Sequence, residues 1–226
     1  MSPSSAASPV SRIATISGLA VALGWPLVVA AFVKSASFAN MPQDLAIIGI
    51  EWALVAVLAG IVIGWERLPF LSSVGFVRPR ALDWLIVGLL AVIAAVVCGL
   101  LAARHPEIPT QHTMLAQIVG LPLWLRLALV LTAGICEEVF FRGYAIERLN
   151  TLTGNVWSGA LLGAVLFILG HVPRTGFGPE LAGVAVSGVI LAMLYAWRRN
   201  LVPCIALHWL IDGYALLIVP AFAVLK

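Results

Sequence analysis

Six ionisable residues lie within otherwise apolar segments of the chain and could carry chemistry. They are Glu137, Glu138, Arg142, His171, His208 and Asp212. A charged side chain at the centre of a bilayer costs about 2.5 kcal/mol or more, so such residues are rare and usually face a polar interior. The two adjacent carboxylates in GICEEVFFRG, residues 134–143, therefore need a structural or chemical reason.

The spacing of these residues pairs them along helical faces. Glu138 and Arg142 are four residues apart, so they stack on one face of a helix and can form an ion pair. Glu137 lies about 100° around the helix from Glu138 and faces elsewhere. His208 and Asp212 share the four-residue spacing, so Asp212 can accept a hydrogen bond from one imidazole nitrogen and orient the other.

A carboxylate and two histidines provide the groups that hydrolysis needs. Glu137 in a low-dielectric pocket could act as a general base on water. His171 and His208 could donate hydrogen bonds to an oxyanion, or they could join Glu137 in binding a metal that polarises the water. One glutamate and two histidines also fit a catalytic zinc site with an open position. Because these ligands would come from three helices rather than one HExxH helix, both alternatives stay open.

Several polar residues have a simpler interpretation. Buried polar side chains also join helices to one another, and His171 taken alone fits that role as well as a catalytic one. Glu51, Asp83 and Arg126 lie near the ends of apolar segments and are expected to reach the membrane interface. The cysteines Cys98, Cys136 and Cys204 form no CxxC pair, which argues against a disulfide framework and favours packing roles.

The elements that position these residues are predicted to be membrane-spanning helices. Of 226 residues, 62% are hydrophobic and 10% are charged, whereas a soluble domain has about a quarter charged. The formal net charge of +3 does not indicate a nucleic-acid partner. The sequence therefore predicts an all-α, polytopic transmembrane bundle of about seven helices in the lipid bilayer. The predicted segments are 13–33, 45–64, 82–102, 120–146, 155–171, 180–197 and 201–220.

A polar N-terminal tail, 1–12, is expected to precede a single transmembrane domain, 13–226, with the motif residues at about 120–215. Arginines predominate in the tail and in the loops after the second, fourth and sixth helices, which predicts an N-terminus inside the cell. The residues counted on that side are Arg12, Arg67, Arg78, Arg80, Arg148, Arg198 and Arg199, against Lys34, Arg104, Arg174 and Lys226. Glu137, His171 and His208 are expected to meet within roughly 10–15 Å of the inner surface.

Three motifs carry a resemblance to a known family. EEVFFR (137–142) matches E-E-x-x-x-R, FILGH (167–171) matches F-x-x-x-H, and HWLID (208–212) matches H-x-x-x-[ND]. In this order, each on its own helix, they resemble the CAAX-protease and bacteriocin-processing family of intramembrane proteases, called CPBP or Abi. The resemblance implies Glu137 as general base, Glu138 with Arg142 as its support, His171 beside the water, and His208 with residue 212 at the oxyanion. The prenyl-protease branch has Asn where this chain has Asp212, and an ionised Asp cannot donate a hydrogen bond.

The sequence thus predicts an intramembrane endopeptidase that acts on a membrane-associated protein or peptide near the cytosolic leaflet of a bacterial inner membrane. An alternative is a non-catalytic binding or immunity protein that keeps the protease fold. A small transporter with a Glu/His proton relay is a third hypothesis, but the chain lacks the internal repeat that is typical of many transporters.

Overall fold

The computed structural model describes residues 12–34, 43–104 and 120–218. Their regular structure is helical throughout. In chain order the helices are α1 (Arg12–Lys34), α2 (Gln43–Trp65), the short α3 (Phe70–Ser73), α4 (Ala81–Arg104), α5 (123–153), α6 (Val156–Thr175), α7 (Pro179–Arg198) and α8 (Leu201–Ile218). Most of the predicted tail, the connection from residue 105 to 119 and the C-terminal residues from 219 lie outside the described residues.

The predicted all-α membrane bundle is confirmed, with a long helix at each of the seven predicted positions. Within the described residues, α1, α2, α6, α7 and α8 are long and apolar enough to cross a membrane. Helix α4, Ala81–Arg104, covers the predicted segment 82–102. The fourth predicted segment, 120–146, corresponds to α5.

Helix α5 is the central element and carries the first motif. It consists of an α-helical stretch Leu123–Glu137, a π-helical stretch Glu138–Ile146 and a final α-helical stretch Glu147–Thr153. Every residue from 136 to 146 is buried, and α5 contacts α1, α2, α6, α7 and α8. π-Helical turns are frequent at functional sites. The motif that carries two carboxylates and an arginine is therefore also the innermost part of the bundle.

A tight turn between α5 and α6 returns the chain to the level of the first motif. Gly154, at φ 72°, ends α5 in the left-handed region, where glycine has no Cβ penalty. Asn155 then caps α6, its side chain accepting a hydrogen bond from the Trp157 backbone N–H at 2.9 Å. The two helices consequently pack antiparallel, and the C-terminal part of α6 lies beside the middle of α5.

Ion pairs join the helices at one end of the bundle, here called the arginine end and defined by Arg148, Arg198 and Arg199. Arg148 binds both carboxylate oxygens of Glu66, the shorter distance being 2.5 Å. Arg198 lies 2.7 Å from Asp83, and Arg199 pairs with Glu147. Asp83 is only 2% exposed and binds a partner 115 residues away. Its expected position at the membrane interface stays a prediction.

Candidate active site

Two neighbouring cavities open beside the middle of α5. The larger, of about 470 Å³, lies between α1, α2, α5 and α6, and the smaller, of about 110 Å³, lies between α2, α5, α6, α7 and α8. The residues that line both are Ile47, Glu51, Glu137, His171 and Arg174. His208 and Asp212 line the smaller cavity. The structure thus brings the predicted site residues of α5, α6 and α8 to two neighbouring cavities that share part of their lining.

Glu137 is the motif carboxylate that faces this space. It is 7% exposed and is the last residue before the π-helical stretch. Within the described part of the chain, no hydrogen bond joins its carboxylate to another residue. As its helical position predicts, it is separated from the Glu138 ion pair and is available to a water or substrate in the cavity.

Glu138 and Arg142 form the predicted ion pair in the core of the bundle. Arg142 Nη1 donates to Glu138 Oε1 at 2.7 Å, and the two side chains are 1% and 0% exposed. Arg142 Nη2 also donates to the Gly188 carbonyl oxygen on α7 at 3.2 Å. The guanidinium lies 4.3 Å from the centre of the Phe167 ring, a cation–π contact that links the first motif to the second.

His208 bridges two carboxylates. Its Nδ1 lies 2.8 Å from Glu138 Oε1, and its Nε2 lies 3.3 Å from Asp212 Oδ2. The contact with Asp212 follows from the four-residue spacing, whereas the contact with Glu138 joins residues 70 positions apart. Both ring nitrogens therefore have partners. The sequence-based prediction gave a partner, Asp212, to only one of them, and Glu138 binds the other.

The resulting chain Arg142–Glu138–His208–Asp212 alternates in charge when His208 donates from both nitrogens, because such a ring is an imidazolium. Its net charge is then zero. A neutral group of hydrogen-bonded charges costs far less to bury than any one of its members alone. This balance explains how the bundle accommodates Glu138 without solvent.

His171 has a defined orientation. Its Nδ1 lies 2.8 Å from the Phe167 carbonyl oxygen, which can only accept, so Nδ1 carries the proton. The Phe167 ring packs against the imidazole with centroids 4.5 Å apart. When Nδ1 holds the only ring proton, Nε2 is left as an acceptor, as a histidine that orients a water molecule requires. The F-x-x-x-H motif thus orients its own histidine, through the carbonyl oxygen and the ring of Phe167.

Glu51 belongs to the same space, although its sequence position indicated an interfacial anchor. It is 4% exposed and lines both cavities with Glu137 and His171. Its neighbour Trp52 donates from Nε1 to Thr132 Oγ1 at 3.2 Å, which fixes α2 against α5 one turn and a half before Glu137. The expectation that Glu51 reaches the membrane surface is therefore wrong.

The arrangement of the donor groups decides whether a metal ion could bind here. Among residues 12–34, 43–104 and 120–218, no group of three or more His, Cys, Asp or Glu side chains is arranged to hold a metal ion. Glu137, His171 and His208 share a cavity, but both nitrogens of His208 already have carboxylate partners. These residues as arranged do not fit the predicted zinc site. Cys136 and Cys204 are fully buried thiols in the helical core.

The larger cavity opens at the end of the bundle opposite to the arginine end. Its lining includes the exposed residues Gln43, at the start of α2, and Arg174, at the end of α6. Glu66, just beyond the other end of α2, binds Arg148 at the arginine end. A helix of this length separates the two ends by about 34 Å.

The fold defines the class as a polytopic membrane protein. Its core contains the buried Arg–Glu–His–Asp chain, and a separate glutamate and a histidine line a cavity beside it. Residues 118–214 match the family described as type II CAAX prenyl endopeptidase Rce1-like. The match spans all six motif residues and confirms the resemblance to the CAAX-protease family over that segment, which is less than half of the chain. Comparison with curated proteins gave no significant match, and comparison with solved structures gave none either.

Proposed function

We propose that the protein is an intramembrane endopeptidase that hydrolyses a peptide bond of a membrane-associated protein or peptide, with Glu137 as the base that activates water. The observation that carries this proposal is the division between the two adjacent glutamates. Glu138 Oε1 binds Arg142 and His208 in the core, while Glu137 lines the cavity beside His171. A carboxylate and an oriented neutral imidazole at one cavity are suited to general-base catalysis.

In this mechanism a water molecule lies between Glu137 and His171. Glu137 accepts one proton as the water oxygen attacks the carbonyl carbon of the substrate, and His171 Nε2 accepts a hydrogen bond from the other O–H. The carbonyl oxygen then carries a negative charge, which a positively charged donor stabilises. We assign this role to His208, which lines the smaller cavity and whose 3.3 Å contact with Asp212 is longer than its 2.8 Å contact with Glu138. Nε2 would move from Asp212 to the oxyanion while Glu138 keeps the ring in place.

The lining of the larger cavity supports a membrane-resident substrate. On the α1 side it consists of Trp25, Pro26, Val29 and Ala30, whereas Glu51, Glu137 and His171 supply polar groups. An apolar wall with a few convergent polar groups is typical of a small ligand site. The matched family is described by its action on prenylated CAAX substrates, and cleavage of paired peptides with and without the prenyl group would test whether this protein requires it.

The orientation of the bundle in the membrane decides which leaflet the cavity mouth faces. The cavity mouth lies at Gln43 and Arg174, at the opposite end of the bundle from the start of α1. An N-terminus inside the cell would therefore put the mouth outside. The two sequence-based predictions, an N-terminus inside the cell and a site near the cytosolic leaflet, thus conflict with each other. Single cysteines at Gln43 and at Ser72, the second beside the arginine end, can be labelled in intact cells with a membrane-impermeant maleimide. Labelling at Gln43 alone would place the mouth outside, and labelling at Ser72 alone would place it in the cytosol.

The proposed activity can be tested before a substrate is identified. Membrane fractions from cells that express the wild-type protein or Glu137→Gln would be compared by mass spectrometry for new peptide termini. We expect termini that occur with wild type and with a Glu180→Gln control, which alters a carboxylate that lines neither cavity, and that are absent with Glu137→Gln. Identical termini in all three samples would contradict the proposal.

Zinc remains a prediction: stoichiometric metal lost together with activity would favour a metal-bound water.

A further inference from the structure

We propose that Glu51 is a second catalytic carboxylate, which protonates the leaving nitrogen when the peptide bond breaks. This inference rests on the proposed function and assigns a reacting group outside the three motifs and outside the matched segment, 118–214. It gives the N-terminal part of the chain a chemical role in addition to a structural one.

The position of Glu51 carries the proposal. Glu51 is 4% exposed, and its Oε2 atom is buried with no hydrogen-bond partner among the described residues. The side chain lines both cavities, together with Glu137 and His171. Because the hydrogen bond from Trp52 to Thr132 holds this part of α2 against α5, Glu51 is fixed at the reacting space.

A purely structural role does not explain this arrangement. A buried carboxylate oxygen without a partner is destabilising, since its hydration is lost and nothing replaces it. In the same bundle Glu66, Asp83 and Glu138 are buried too, but each binds an arginine. Glu138 Oε2 also lacks a partner, but Glu138 Oε1 binds Arg142 and His208. Among these four residues, Glu51 alone forms no hydrogen bond or ion pair with the described part of the chain, which is the expected condition of a group whose partner is a bound substrate.

The charged surroundings favour a shared proton. The titratable or charged groups that line the two cavities around Glu51 are Asp44 on its own helix, Glu137 on α5, His171 and Arg174 on α6, and His208 and Asp212 on α8. Two carboxylates that face each other across one cavity are most stable when one of them is protonated. Glu137 as a base and Glu51 as an acid are complementary roles for such a pair.

Protons and electrons balance over the whole step. The water oxygen bonds to the carbonyl carbon, its proton passes to Glu137, and the carbonyl π electrons move to oxygen. When the tetrahedral intermediate collapses, those electrons re-form the C=O bond, the C–N bond breaks, and the nitrogen takes the proton of Glu51. The proton on Glu137 then moves to Glu51, directly or through water, which restores both groups. One water is consumed, and one carboxylic acid and one amine are formed.

A pair of matched substrates tests this role. The first probe is a fluorescence-quenched peptide that ends in a farnesylated Cys-aliphatic-aliphatic-X sequence, replaced by the sequence found in the membrane comparison if that differs. The second is the same peptide with the leaving nitrogen replaced by an ester oxygen, which needs less help from an acid. Wild type, Glu51→Gln and Glu180→Gln would be assayed in lipid nanodiscs, with thermal unfolding measured in parallel.

For Glu51→Gln we expect kcat on the amide to fall by about 100-fold or more and kcat on the ester by less than about tenfold. Equal losses on both substrates, or none, would overturn the proposal for Glu51. A shift in unfolding temperature with an unchanged amide-to-ester ratio would do the same, since a structural role would affect both substrates alike. Failure of the proposed function would give a different result from failure of the Glu51 proposal alone, because Glu137→Gln would then cleave the amide as fast as wild type.

Discussion

His208 Nδ1 lies 2.8 Å from Glu138 Oε1, so the second glutamate of the EE pair, not the first, connects the motif of α5 to the motif of α8. The same oxygen accepts from Arg142 at 2.7 Å. Glu138 is thus the structural centre of the site, and its neighbour Glu137 is left for chemistry. This division of roles leads to different expectations for the two residues.

Replacing Glu138 by Gln should destabilise the bundle. Arg142 would stay buried without an anionic partner, and breaking a buried pair on one side typically costs about 3–5 kcal/mol. The free energy of unfolding in mixed micelles, followed by tryptophan fluorescence, measures the loss. The control is Arg199→Gln, whose pair with Glu147 is partly exposed and is expected to contribute about 1 kcal/mol or less. Equal losses in the two variants would show that the Glu138 pair is not structurally special.

Asp212 should support kcat mainly by accepting a hydrogen bond from His208. Asp212→Asn keeps an oxygen that can accept from Nε2, so we expect kcat within about tenfold of wild type. Asp212→Leu removes the acceptor, and loss of such a supporting partner typically costs about 10–100-fold. Measuring kcat for both variants on one peptide decides the matter. If Asn is as damaging as Leu, the negative charge of Asp212 is required.

Gly188 should be intolerant of even a methyl group. A Cβ atom there would lie 2.7 Å from Phe167 Cδ1, and the Gly188 carbonyl accepts from Arg142. Gly188→Ala is therefore expected to displace the Phe167 ring, lower kcat and cost about 1–3 kcal/mol of stability. Gly183→Ala on the same helix is the matched control, because nothing lies within 4 Å of its added Cβ. That variant should be neutral or gain about 1 kcal/mol or less from helix propensity. Similar behaviour of the two would contradict the packing proposed for Gly188.

Local spacing was enough to predict part of the site. The pair Glu138–Arg142, the contact His208–Asp212 and the separate face of Glu137 all follow from helical periodicity over four residues. Apolar runs of sufficient length likewise predicted the helices. What these features share is that each depends on residues close together in the sequence.

The missed features depend on which face of a helix meets the bundle. Helix α2 is apolar nearly all round because lipid and protein both accept such side chains, so its pattern does not reveal that Glu51 shares a buried face with Val55 and Leu58. Hydropathy located the helix but did not show that Glu51 faces the cavities. The pairing of His208 with Glu138, and that of Asp83 with Arg198, likewise arise only when distant helices pack together.

The central claim is that Glu137 activates the hydrolytic water, and the rate of peptide cleavage by purified Glu137→Gln in lipid nanodiscs tests it most directly. Wild type and variant should insert equally and unfold at similar temperatures, because the Glu137 side chain forms no hydrogen bond within the described residues. Cleavage by the variant is expected to be slower by about 100-fold to 10,000-fold, the usual contribution of a general base. A correctly folded Glu137→Gln protein that cleaves at the wild-type rate would contradict the claim.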